Sequence, residues 1–165
     1  MIVFSYGALA LSWSLSNFVL IKGRFSQISS SEYKRYSDLV YTCDKYGTIC
    51  LSAGIILGGL WADYSWGRFW GWDPKETWSL IVFLIYLAIL HGKNTSWIPN
   101  ERFIALNAAA FMSVMMAWFG VNYILAAGLH SYGFSEGGAI FLGTFFIAQI
   151  GLLIFTGFRT RVAQS

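Results

Sequence analysis

The chain has 165 residues, 56% of them hydrophobic and 19% aromatic, and only 12% charged, about half the charged share near 25% of an ordinary soluble domain. So few charges cannot clothe a soluble globule, and a mean hydropathy of +0.56 points to a lipid membrane. The formal net charge of +3 is small and its cations gather on one side of the chain, which excludes a nucleic-acid footprint.

A spanning helix needs about 20 mostly apolar residues, and five stretches qualify, near 1–21, 47–63, 75–91, 103–127 and 138–158. The expected fold is therefore all-α, a polytopic membrane bundle of about five transmembrane helices forming a single domain over 1–165. Met1-Ile2-Val3-Phe4 enters the first span with neither the positive region nor the cleavage site of a signal peptide, which suggests that upstream sequence is missing. Residues 23–45, rich in serine, tyrosine and charge and including Ser29-Ser30-Ser31, are expected as a loop. Cys43 and Cys50 then flank the start of span two and form neither a disulfide framework nor a C-x-x-C motif. Gly54-x-x-x-Gly58 reads as a close-packing motif between helices.

Span three opens abruptly at Asp73-Pro74-Lys75-Glu76, which has the form of an N-cap, a proline at N1 and a capping-box glutamate. Further on, Asn107, Asn122 and Gln149 are expected to hydrogen-bond between helices, and Met112, Met115, Met116 and Trp118 to pack. Orientation follows from the cations, because short loops rich in lysine and arginine stay cytoplasmic. Lys22, Arg24, Lys34, Arg35, Lys45, Lys93, Arg102, Arg159 and Arg161 fall on one side, and only Arg68 and Lys75 on the other. Residues 62–74 and 128–137 are thus expected outside the cytoplasm, with the N-terminus outside and the C-terminus inside.

Five of the eight tryptophans lie between Trp61 and Trp78. An aromatic belt at the membrane interface explains one or two of them. Five, interleaved with Gly67 and Gly71, suggest either a rigid packed interface or a site for a flat ligand, with glycines leaving room and indoles offering stacking area. The two histidines, His91 and His130, stand at a span end and in an outer loop, where a histidine serves as an interfacial hydrogen-bonding residue or as a metal ligand.

The run Trp66-Gly67-x-x-Trp70-x-Trp72-Asp73, continued by Pro74-Lys75-Glu76-Thr77-Trp78, resembles the tryptophan-rich WWD signature of haem-handling membrane proteins. It is most similar to the CcsA/ResC (CcsBA) family, the cytochrome c synthetases of system II, and the chain resembles the C-terminal part of such a protein. Phe69 stands where tyrosine is expected. The resemblance implies haem b as ligand and substrate, bound at the outer segment 62–78 through Trp66, Gly67, Arg68, Trp70, Trp72, Asp73, Lys75 and Trp78, with His91 and His130 as iron ligands. Arg68 and Lys75 would meet the propionates, or else simply answer Asp73, Glu76 and headgroups. Asp73 serves more naturally as a helix cap than as an acid.

Because the membrane separates the two histidines, the resemblance implies two haem positions. His91 would share one with a histidine of a CcsB/ResB-type partner subunit or domain. His130 would share the other with an outer histidine that in the family lies just ahead of the span corresponding to 1–21. The implied reaction joins apocytochrome c thiols of a C-x-x-C-H segment to the haem vinyl groups by proximity and orientation, with no nucleophile from this chain. A fragment alone is expected to be inactive. Two alternatives stay open: a non-enzymatic haem delivery protein, and a solute transporter-like subunit without haem. The membrane would be a bacterial plasma membrane or a thylakoid.

Overall fold

The structure, a computed structural model, describes residues 1–125 and 138–157. Five helices carry the chain: α1 (Ile2–Phe25), α2 (Ser30–Trp66), α3 (Pro74–Asn94), α4 (Asn100–Met115) and α5 (Gly138–Gly157); α4 runs on as a π-helical stretch, Met116–Leu125. Among the described residues there is no strand. All five are long and apolar enough to cross a membrane, α4 together with its extension to Asn122. The protein is an all-α, multi-pass integral membrane protein, as its composition requires.

The largest departure from expectation is at residues 23–45, which are not a loop. Only residues 26–29 separate α1 from α2, and α2 runs for 37 residues, about 55 Å at 1.5 Å per residue. Ser29 caps its start by accepting from the Glu32 amide at 3.2 Å, while Ser30 and Ser31 are already helical. The polar composition misleads because this half of α2 is two-faced. Lys34, Arg35, Asp38 and Lys45 lie on or toward its outer side, while Tyr33, Ser37, Val40, Asp44, Gly47, Leu51 and Gly54 are buried. These buried positions alternate in steps of four and three, as do Ser5, Leu9, Ser12, Ser16 and Val19 on α1, so each helix presents a heptad seam. Cys43 and Cys50 consequently lie well inside α2, both as free thiols.

The two seams mesh antiparallel in a constant register. Ile2 packs on Gly54, Leu9 on Gly47 and the Tyr33 hydroxyl on Gly23, and Ser12 meets Asp44; each pair of residue numbers adds to 56. Gly47 and Gly54 are glycines because a Cβ there would stand 2.8 Å and 2.6 Å from the facing side chains. Gly58, the second member of the expected close-packing pair, has open space beside it instead.

The remaining helices close around this hairpin. Asn107 on α4 donates to Ser16 Oγ at 2.8 Å and Ser12 Oγ at 3.2 Å. Gln149 on α5 accepts from Trp13 Nε1 at 2.9 Å and donates to Asn17 Oδ1 at 3.1 Å. Both act between helices, as expected. For Asn122 the described residues show a bond within its own helix, its amide donating to the Trp118 carbonyl at 2.6 Å. Phe103, Ile104, Val82 and Tyr86 are fully buried at the centre. Lys22, Glu32, Lys93 and Asn100 gather at one end, where Lys22 pairs with Glu32 and Lys93 contacts Asn100.

Candidate functional site

The other end of the bundle is built by the end of α2, the connection 67–73 and the first turn of α3. Gly67 ends α2 in the left-handed conformation, φ 68°, where glycine avoids the clash of a Cβ with the following carbonyl. Asp73 caps α3 by accepting from the Lys75 amide at 3.0 Å. Glu76 completes the capping box and also reaches further back, accepting from Asp73 N at 3.3 Å and Gly71 N at 2.8 Å. One carboxylate thus fixes both the helix start and the loop before it.

Beside this turn lies a cleft of about 320 Å³, within the range of small-molecule sites. Trp61, Phe69 and Trp70 form one wall, Tyr6 and Trp118 another, and Lys75 with Glu76 supplies the polar edge. Tyr6 and Trp118 contact each other, with ring centroids 5.0 Å apart. Phe69 is folded back so that its ring covers Gly59, while Gly58 opens part of the floor. Ala117 and Trp118 reach the cleft from the π-helical stretch, a rare conformation that concentrates at functional sites.

The anticipated residues are divided by this geometry. Trp70 and Lys75 line the cleft directly. Trp66 stands edge-on behind Trp61 at 5.0 Å, and Trp72 edge-on to Trp70 at 5.8 Å with 70% of its surface exposed. Trp78 packs against the core. Arg68 lies across Gly71, so the space expected at that glycine is taken up by a guanidinium. Gly67 serves the backbone. Asp73 caps its helix, as its sequence context suggested.

His91 is remote from all of these. It is exposed near the C-terminal end of α3, its ring edge-on to Trp97 at 6.0 Å, and fifteen residues after Glu76, or about 22 Å along the helix. His130 lies outside the described residues. Among the described residues no group of three or more histidine, cysteine or acidic side chains is placed to hold a metal ion.

The sequence did not point to Tyr6 or Trp118 in a ligand-sized cleft, whereas Phe69, within the tryptophan run, lines it as its place there suggests. Trp118 reads from sequence as a packing residue, and nothing in the sequence marks the change from α to π geometry at Met116.

Comparison with known proteins agrees with the tryptophan run. The family described as "Cytochrome C assembly protein" matches residues 1–130. The chain is 45% identical over 100 residues to the cytochrome c biogenesis protein CcsA of Gloeobacter violaceus, covering 61% of this chain and 29% of that protein. It is 45% identical over 96 residues to the CcsA of Guillardia theta, covering 58% and 32%. With the CcsA of Synechococcus sp. strain CC9311 it shares 35% identity over 132 residues, covering 80% and 43%. It spans roughly a third of the length of these curated relatives. With the family matching most of its length, the chain belongs to the cytochrome c assembly proteins and is related to the CcsA branch.

Proposed function

We propose that this chain takes part in cytochrome c biogenesis as haem-handling sequence of a system II synthetase, presenting haem b for thioether attachment to apocytochrome c. The observation that carries the reading is the aromatic cleft at the WWD segment, in a chain whose relatives are named for cytochrome c biogenesis. Its lining is largely aromatic and apolar and its polar edge carries the Lys75 ammonium beside Glu76, whose carboxylate is engaged by backbone amides, which suits a planar amphiphile with acidic substituents. The chain would act by holding and orienting: Trp61, Phe69 and Trp70 give stacking area, Lys75 and Arg68 answer carboxylates, and Trp66 and Trp72 back the wall. Haem, as substrate, supplies the vinyl groups that receive the thiols of the C-x-x-C-H segment.

In this reading the tryptophan end faces out of the cytoplasm, the cation-rich end faces in, and 62–78 is the extracytoplasmic WWD segment. His91, exposed far from the cleft, would offer an imidazole to iron shared with a CcsB/ResB-type partner, and His130 would serve the outer position. Exposure of His91 supports a partner-supplied second ligand, because the imidazole is open on the bundle surface.

The deciding experiment is the visible spectrum of the full-length protein purified with its partner. A Soret band reduced by Trp70→Ala or His130→Ala is expected. Its absence in the unmutated complex would overturn the haem reading. Co-expression with a C-x-x-C-H substrate separates attachment from delivery, since a carrier leaves that substrate without covalent haem.

A further inference from the structure

Ten residues before the cleft's Gly54 on α2, about 15 Å along the helix, Asp44 is completely buried, facing Ser12 half-way along α1. Among the described residues no cation pairs with it. The ion pairs among the described residues are Lys22–Glu32 and Lys34–Asp38, and the adjacent Lys45 is exposed, with its ammonium over the Tyr46 ring. A carboxylate so placed loses its hydration without a counter-ion to replace it.

The hydrogen count around Ser12 favours the protonated state. A serine hydroxyl has one hydrogen and two lone pairs. Ser12 Oγ is surrounded by the Leu9 carbonyl at 3.0 Å, the Asn107 amide nitrogen at 3.2 Å and Asp44 Oδ1. The carbonyl can only accept and the amide nitrogen can only donate. If Asp44 is ionised, two acceptors compete for one hydrogen. If Oδ1 carries a proton, Asp44 donates to Ser12, Ser12 donates to Leu9, and Asn107 fills the other lone pair. All three positions on the hydroxyl are then satisfied.

We propose that Asp44, Ser12 and Asn107 form a proton-binding site inside the helix bundle, in which Asp44 is held as the neutral acid. The proton comes from water and forms an O–H bond at the carboxylate, cancelling its charge; nothing is oxidised or reduced. Around it, Asp44 Oδ2, Thr48 Oγ1 one turn further along α2 and the Tyr86 hydroxyl from α3 are buried without partners, and Tyr86 lies within electrostatic reach of Asp44. Among the described residues, the titratable groups that feel the charge of Asp44 are Tyr86 on α3 and Cys43 beside it on α2. From α1 and α4 the cluster receives Ser12, Ser16 and Asn107, which do not titrate. Loss of the proton leaves a bare charge in the seam that joins α1 to α2, so rising pH loosens this hairpin.

Infrared difference spectra of the full-length protein at neutral pH, wild type against Asp44→Asn, test the assignment without reference to haem. The variant is expected to lose a protonated-carboxyl C=O band and to unfold like wild type at neutral pH, since asparagine keeps a neutral donor toward Ser12. On raising the pH, the wild-type unfolding midpoint should fall further than that of Asp44→Asn. Loss of carboxylate bands instead, or failure of Asp44→Asn to fold, would overturn the proposal.

Discussion

The Arg68 guanidinium lies over Gly71, so close that a Cβ at Gly71 would stand 1.6 Å from Nη1. Because the obstructing group is the end of a flexible side chain, Gly71→Ala is expected to move Arg68 and not the backbone. Stability should change by less than about 0.5 kcal/mol, while haem retention falls as it does in Arg68→Ala. Thermal unfolding and Soret absorbance of the same preparations check this. Equal haem in wild type and Gly71→Ala would remove Arg68 from the site.

Gly67 provides the contrast. Nothing crowds it, but its φ is 68°, so Gly67→Ala should cost about 1–2 kcal/mol through backbone strain alone. Unfolding in detergent should show the drop, and Gly67→Asn should recover part of it, because asparagine tolerates the left-handed region better.

Glu76 accepts from two backbone amides, Gly71 N and Asp73 N. Glu76→Ala is expected to loosen residues 67–73 and to cost about 1 kcal/mol or more. Faster proteolysis within that connection, with the rest of the bundle protected, is the measurement.

Trp70 lines the cleft and Trp72 stands behind it, largely exposed. Trp70→Ala should therefore reduce haem content by a larger factor than Trp72→Ala. Equal losses would mean that the cleft is not where the ring stacks.

Gln149 ties α5 to α1 through Trp13 and Asn17. Hydrogen bonds between membrane helices contribute about 0.6 kcal/mol on average, so Gln149→Leu should lower bundle stability by roughly 1 kcal/mol for the pair. Denaturant unfolding in mixed micelles measures the difference.

The apolar spans were legible because lipid demands long apolar helices, and Asp73-Pro74-Lys75-Glu76 was legible because capping is a local rule. The first half of α2 was not, since Tyr33, Ser37, Val40 and Asp44 form a seam only in combination with Ser12, Ser16 and Val19 of another helix. The four-three spacing is present in both helices, but on α2 the charged Asp44 and the polar Ser37 within it disguise the seam as loop-like sequence. The cleft was half legible. Tryptophan density pointed to Trp61 and Trp70, whereas Tyr6 and Trp118 reach it through the tertiary packing of α1 and the π-helical stretch.

The length of α2 has one more consequence. It is paired with α1 as far as Gly54 and then continues, unbroken, to Trp66. Each residue of a helix turns the next by about 100°, so removing a single residue between Gly54 and Trp61 would leave the hairpin intact but swing Trp61 to a different side of the helix. The angular phase of one helix, counted from a glycine in the seam, sets which way the tryptophan wall faces.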